Sequence, residues 1–239
     1  WAERALTQAE RAAAQLENNA DARREAAAAI SQALNTIGAS LARLGRSEEA
    51  VGHIERSVQV AQAEGLLQAA CRSYANLGGL YATLHPGRAV ETCLTGLETA
   101  KKIGDLGFQS RLYANLAMAY CALTNQCNAE GLSAAQSAID LDRQLGQLDH
   151  LAVPLIVLAQ IYQCHGEPDN ALRYYEEALA LAEDIGEPQL LFPCYDGLAT
   201  TFLDQGDPER AETYLIKANE VCERAGVDRD ALVVLPFLC

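Results

Sequence analysis

The segment RSYANLGGLY, residues 72–81, contains the pattern that decides the fold. In it the large apolar Leu77 is followed by the small Gly78 and then, three positions later, by Tyr81. Residues spaced in this way share one face of a helix. The same pattern occurs four more times, at Ile37-Gly38 with Leu41, Leu116-Ala117 with Tyr120, Leu158-Ala159 with Tyr162, and Leu198-Ala199 with Phe202.

Glycines at nearly constant intervals indicate that this pattern belongs to a repeated unit. They are Gly65, Gly104, Gly146, Gly186 and Gly226, at intervals of 39, 42, 40 and 40 residues. A period of this length predicts a solenoid, in which each unit buries its apolar face against the next. We therefore expect stacked repeats with an extended surface for partners, rather than one central core.

A polar turn divides each unit into two helices, as in residues 45–50, 166–171 and 206–211. In these turns a glycine ends the first helix, and we expect Ser47 and Asp207 to cap the second. The second helix has small residues two turns apart on one face, which allows neighbouring helices to approach closely. These pairs are Ala50 and Ser57, Ala89 and Gly96, Gly131 and Ala138, Ala171 and Ala178, and Ala211 and Ala218.

The combination of these features resembles the tetratricopeptide repeat, over about residues 26 to 226. The unit is close to forty residues long and lacks the closing proline of the standard repeat, so it is similar to the longer variant of polarity adaptors, kinesin light chains and bacterial regulators. The resemblance implies an all-α fold, a right-handed α-solenoid of helix-turn-helix units. It also implies a protein-protein interaction scaffold whose first helices line a concave groove.

The domain organisation that we predict is a single array over residues 1–239. Residues 1–25 form a preceding helix, and 227–239 are either the start of a further helix or a cap. We expect the visible chain to be cut from a longer protein. The five repeats span about 26–65, 66–104, 105–146, 147–186 and 187–226.

The composition disfavours several classes of partner. The formal net charge of -14 argues against nucleic acid, because binding to phosphates needs clustered Lys and Arg. No stretch of apolar residues is long enough for a membrane span, so we expect no membrane partner. Eight cysteines without a CxxC pair fit reduced, structural thiols, and hence a cytoplasmic location.

No catalytic pattern is found in the sequence. The phosphate-binding, dinucleotide-binding and nucleophile-elbow motifs are missing, and the four histidines occur singly. Spacings typical of zinc ligands are also missing. We therefore predict that the segment is not an enzyme and needs neither a cofactor nor a metal.

A short sequence motif that occurs twice contains the candidate binding residues. Arg72 and Asn76 in one first helix correspond to Arg111 and Asn115 in the next, and residues four apart share a helical face. An amide can bind a peptide main chain, and a guanidinium can grip a carboxylate. These residues look like the peptide-contacting positions of the longer-repeat adaptors. The alternative is that they solvate the groove or join neighbouring helices.

Further residues extend this candidate site. Asn35, Gln160 and Arg43 are placed near the same line, although Asn35 and Gln160 are not strictly in phase with Asn76. The first helix of the fourth repeat is almost uncharged, so it either receives a partner or is covered by a neighbouring repeat. Its candidate apolar contacts are Val153, Ile156 and Val157.

Two functions remain open at this point. The first is a scaffold that binds an extended peptide, with an acidic or carboxylate group, in the groove. The second is a sensory or self-association module of a larger signalling or regulatory protein.

Overall fold

The computed structural model describes residues 2–15, 20–124 and 129–226. Over these residues the chain forms eleven α-helices and no strand. The helices are α1 (Ala2–Gln15), α2 (Ala20–Arg43), α3 (Ser47–Ala63), α4 (Leu67–Leu84), α5 (Pro86–Ile103), α6 (Leu106–Thr124), α7 (Ala129–Leu145), α8 (Leu148–Cys164), α9 (Pro168–Ile185), α10 (Pro188–Asp204) and α11 (Pro208–Ala225).

The chain divides into two compact units, residues 1–112 and 113–239, and the boundary falls inside α6. In the first unit α1 to α5 pack in chain order, each helix on the next, and α2 also contacts α4. In the second unit α7 to α11 pack in the same way, and α8 contacts α10. Each unit is therefore a stack of helix pairs whose first helices meet. The segment 227–239 lies outside the described residues.

The helix ends largely follow the sequence prediction. The five periodic glycines all have positive φ, for example 68° at Gly104, where the left-handed conformation favours glycine. Asp207 caps α11 as predicted, because its Oδ1 accepts a hydrogen bond of 3.0 Å from the Arg210 backbone N–H. The prediction for Ser47 is wrong. Ser47 is the first residue of α3, and Arg46 holds the N-cap position without a side-chain cap.

Small residues let neighbouring helices approach closely, as the sequence predicted. A Cβ atom at Gly38 of α2 would lie 2.4 Å from Ile54 Cγ1 of α3. At Gly96 of α5 it would lie 2.7 Å from Leu112 Cδ2. At such distances the neighbouring side chain would have to shift to admit a Cβ, so the contact favours glycine. The pairs of small residues in α3, α5, α9 and α11 are buried.

The thiols are mostly part of the packed interior. Cys71, Cys93 and Cys194 are free and buried, and burial raises their pKa values to about 11, 12 and 12. Such thiols remain protonated and behave as small apolar groups. The expectation of uniformly reduced cysteines is wrong for Cys164, which takes part in a disulfide bond.

Tyr175 of α9 requires a matching space in the next repeat. Its ring is 1% exposed and lies over Gly197 of α10, where a Cβ would come within 2.3 Å of Cζ. The phenol hydroxyl donates a hydrogen bond of 3.3 Å to Gln163 Oε1. Ile54 and Cys93 hold the corresponding position in earlier repeats, so this large side chain is particular to one junction.

Replacing Gly197 by alanine should therefore destabilise the protein. We expect overpacking against Tyr175 to cost about 1–3 kcal/mol, against a helix-propensity gain of about 1 kcal/mol. Gly52→Ala in α3 is the control, because nothing lies within 4 Å of a Cβ there. That change should stabilise by about 0.5–1 kcal/mol. Urea unfolding of both variants measures the difference, and equal effects would contradict the assigned contact.

A double-mutant cycle should show that the two positions are coupled. Tyr175→Ile removes the ring, so Gly197→Ala should cost less in that background than in the wild-type chain. Urea unfolding of the two single variants and the double variant provides the coupling energy. Strict additivity would mean that the ring does not fill the space above Gly197.

Candidate functional site

A line of polar side chains joins the first helices of three successive repeats in the first unit. Arg111 Nη2 of α6 donates a hydrogen bond of 3.3 Å to Asn76 Oδ1 of α4. Asn76 Nδ2 in turn donates one of 3.0 Å to Asn35 Oδ1 of α2. We call this chain of contacts the amide ladder. The structure thus brings together three of the predicted residues, including Asn35, which is out of phase with Asn76.

The guanidinium fixes the direction of the amide ladder. Because a guanidinium can only donate hydrogen bonds, Asn76 must turn its oxygen toward Arg111 and its NH₂ group toward Asn35. Asn35 must then turn its oxygen toward Asn76. The ladder therefore begins at a cation and ends at the NH₂ group of Asn35, whose residue is only 7% exposed.

Arg72 and Arg111 form a positively charged part of this surface. Both are exposed to solvent. Desolvation by the surrounding protein nevertheless lowers the pKa of the Arg111 guanidinium, and the charge of Arg72 lowers it further. The two like charges therefore lie close enough to repel each other.

These two arginines differ from the arginines that pair elsewhere. Within the described residues neither Arg72 nor Arg111 forms an ion pair. Six other arginines do so, in the pairs Arg23–Glu64, Arg46–Glu49, Arg56–Glu10, Arg88–Glu55, Arg143–Glu177 and Arg210–Asp207. In a protein of formal charge -14, two adjacent cations without a carboxylate are an electrostatic feature that an anionic partner would relieve.

A small cleft lies between α2 and α4, beside Arg72. Its volume is about 140 Å³. The lining residues are Ala28, Ser31, Gln32, Asn35, Gln68, Ala69, Arg72 and Ser73. We call it the α2/α4 cleft. Asn35 is thus shared between this cleft and the amide ladder.

Sequence reasoning did not identify four polar residues of the α2/α4 cleft, namely Ser31, Gln32, Gln68 and Ser73. A signal was present for two of them. Gln68 is four residues before Arg72, and Gln32 is three residues before Asn35, so both pairs share a helical face. Ser31 and Ser73 are indistinguishable in sequence from the small packing residues of the repeat.

The remaining candidates take no part in the amide ladder, and several of them are buried. Arg43 is exposed near the end of α2, and Asn115 belongs to the second unit and is half-buried. Of the three apolar candidates in α8, only Val153 is half-buried, since Ile156 is 3% exposed and Val157 is 1% exposed. The sequence left two alternatives for this apolar stretch, a site for a partner or coverage by a neighbouring repeat. The side chains of Ile156 and Val157 are covered by the protein. Gln160 is also buried, at 6% exposure.

Comparison with known proteins adds a family assignment to this geometry. Models of the tetratricopeptide repeat match residues 108–184 and 194–225. No curated protein matches the sequence. Within the described ranges, no helix is long and apolar enough to cross a membrane.

Solved structures share the fold at low sequence identity. BtubC from P. vanneervenii is 18% identical with a TM-score of 0.69, and the match covers 94% of this chain and 92% of that one. The tetratricopeptide-like repeats of a putative kinesin light chain of Podosopora anserina are 18% identical with a TM-score of 0.56, over 81% and 95%. A signal transduction ATPase with a tetratricopeptide repeat sensor, from Pyrococcus horikoshii, is 21% identical with a TM-score of 0.63, over 90% and 34%.

These findings define the class of protein as an all-α solenoid built from helix pairs. Its residues 108–184 and 194–225 belong to the tetratricopeptide-repeat family. The predicted fold class and the predicted family are both confirmed.

The amide ladder should contribute to stability as well as to recognition. Asn76→Ala removes the partner of Asn35 Oδ1, an atom of a residue that is 7% exposed. An unsatisfied buried acceptor costs about 1–3 kcal/mol, so urea unfolding should show a loss of that size. Arg43→Ala is the control, because this exposed side chain has no hydrogen bond or ion pair within the described ranges, and a change within about 0.5 kcal/mol is expected. Equal stability of both variants would contradict the ladder.

Proposed function

We propose that this protein is a non-catalytic interaction scaffold that binds an extended, carboxylate-bearing peptide on the surface formed by Asn35, Arg72, Asn76 and Arg111. The observation that carries the proposal is the exposed pair Arg72 and Arg111, which has no carboxylate partner among the described residues. An acidic peptide would supply the missing negative charge. The protein as a whole carries a formal charge of -14, which repels an acidic peptide. Such a peptide therefore binds only where its carboxylate reaches Arg72 and Arg111.

The chemistry of the amide ladder suits a peptide main chain. Asn76 uses one N–H and one oxygen lone pair inside the protein. An asparagine amide has two N–H donors and two lone pairs, so one of each remains for a ligand. A peptide unit presents one carbonyl and one N–H, which match this remaining pair. Asn76 can therefore hold the peptide while the ladder keeps its side chain in a fixed orientation.

Each arginine has a separate role in the proposed complex. Arg72 has no internal hydrogen bond within residues 2–15, 20–124 and 129–226, so its guanidinium is available for a bidentate pair with a carboxylate. Arg111 uses one N–H on Asn76 and retains four donors. A carboxylate bound beside Arg111 would also offset the charge of Arg72, which lowers the pKa of the Arg111 guanidinium together with desolvation by the protein.

The proposed surface does not include every predicted residue. Ile156, Val157 and Gln160 are buried and cannot reach a peptide without a rearrangement. Arg43 stays a candidate for an extension of the site within the first unit, and Asn115 and Val153 of the second unit stay predicted binding residues. The cytoplasmic location also stays a prediction, because buried thiols are shielded from oxidants in any compartment and do not report on it.

Replacing either arginine should weaken binding of acidic peptides. The probe is a library of fluorescein-labelled acidic peptides of extended sequence, measured by fluorescence anisotropy with the full chain. We expect Arg72→Ala and Arg111→Ala each to weaken the best binder by about 10- to 100-fold, since each removes a charge-assisted contact. Added salt should weaken binding by the wild-type protein, because it screens the charges.

Arg143→Ala is the matched control, because it changes the net charge equally but lies in an exposed pair with Glu177. It should leave peptide affinity unchanged. The same peptides with amides in place of all carboxylates should bind much more weakly, because Arg72 and Arg111 then have no anion to pair with. If the library does not bind, or if Arg72→Ala binds as the wild-type does, the groove proposal is wrong, and the sensory or self-association reading is preferred.

A further inference from the structure

We propose that the α2/α4 cleft is a subsite for a carboxamide side chain, a glutamine or asparagine of the bound peptide, next to the carboxylate held by Arg72. This inference rests on the proposed function, because it names a second determinant of the same ligand. Four observations carry it: the free end of the amide ladder, the hydroxyl groups at the floor of the cleft, the size of the cleft and the position of Arg72.

The open end of the amide ladder supplies a hydrogen-bond donor. Asn35 lines the cleft and is 7% exposed, and its Oδ1 is used by Asn76. Its Nδ2 has no hydrogen bond within the described residues. Because Arg111 fixes the direction of the ladder, this NH₂ group cannot be exchanged for the oxygen without losing a hydrogen bond, either the one from Asn76 to Asn35 or the one from Arg111 to Asn76. The cleft therefore presents a fixed donor that requires a carbonyl-type oxygen.

Serine hydroxyls at the floor of the cleft supply acceptors. Ser57 of α3 donates to the Ser31 carbonyl at 2.7 Å, and its Oγ also lies 2.9 Å from Ser31 Oγ and 2.8 Å from Ser73 Oγ. Ser73 can also donate to the Ala69 carbonyl, at 3.1 Å. Ser31 can donate to the Ser57 carbonyl, at 3.2 Å. Each hydroxyl has one proton, and an internal acceptor is in reach of each of the three. With these bonds made, Ser31 and Ser73 offer lone pairs to an occupant rather than protons.

This arrangement selects a carboxamide over a carboxylate. A carboxamide oxygen accepts from Asn35 Nδ2, and its NH₂ group donates to the hydroxyl oxygens of Ser31 or Ser73. A carboxylate satisfies the first contact, but its second oxygen faces lone pairs and loses water without compensation. Arg72 lies at the edge of the cleft, where it is exposed and available for a neighbouring carboxylate.

The size of the cleft fits one side chain. Its 140 Å³ exceeds the space of a single water molecule, roughly 30 Å³ in the liquid. It is smaller than a pocket for a drug-sized ligand, roughly 300–1,000 Å³. Gln32 and Gln68 are exposed and lie at its opening, where they can contact the main chain of the same peptide.

Small model compounds test the cleft independently of any peptide sequence. The probes are N-acetyl-glutamine methylamide, the glutamate compound and the norleucine compound, titrated into the ¹⁵N-labelled full chain. The Asn35 side-chain NMR signals, assigned through their loss in Asn35→Asp, are the readout. We expect a saturable shift with the glutamine compound, and binding at least about fivefold weaker for the other two. Equal or tighter binding of the glutamate compound, or unmoved Asn35 signals with the glutamine compound, would overturn the proposal.

A change at Arg111, which does not line the cleft, tests the role of the ladder. Arg111→Met removes the donor that orients Asn76, so both amides can turn over and the preference for glutamine should fall. Arg111→Lys should keep it, because an ammonium group also only donates. An unchanged preference in Arg111→Met would overturn the proposed orientation. The peptide library tests the groove, and these compounds test only the cleft, so the two proposals fail separately.

Discussion

Close approach of neighbouring helices at small residues is the contact on which every other part of this structure depends. A Cβ at Gly38 or Gly96 would lie within 3 Å of a side chain of the neighbouring helix. At these two glycines the backbone of one helix therefore packs directly against a side chain of the next. This proximity has a direct consequence for the polar surface. Hydrogen bonds near 3 Å between α2, α4 and α6 are possible only because the first helices of successive repeats lie close enough for short amide side chains to meet. Packing of apolar and small residues thus sets the geometry of the recognition surface.

Polar groups in the first unit are organised by the donor and acceptor counts of their side chains. One guanidinium, which has no acceptor, imposes a single direction on two asparagines. One serine, with a single proton, leaves two neighbouring hydroxyls as acceptors toward the cleft. Neither effect needs a large interaction energy. Both follow from the number of protons available in a buried network, where an unsatisfied group is expensive.

Much of the fold could be predicted from the sequence because the repeat imposes one period on small residues, large residues and glycines together. The left-handed glycines and the Asp207 cap follow from local chemistry alone. The polar surface was less predictable. Asn35 and Asn76 do not share a repeat position, yet they meet because their flexible side chains bridge the offset. Ser31 and Ser73 carry no distinct signal, since serine also serves as a small packing residue. At Ile156 and Val157 the apolar pattern allowed two environments, and only the packing of the second unit decides between them.

Tyr175 and Gly197 give the repeats a fixed order. Repeat proteins are often regarded as interchangeable modules, because each unit contacts only its neighbours. A repeat that carries Tyr175 needs glycine in the unit after it, and the residues at the position of Gly197 in other repeats, such as Asn76 and Asn115, would collide with the ring. Duplication, deletion or shuffling of units at this junction is therefore restricted, so recombination within the gene would be tolerated at some boundaries and not at this one.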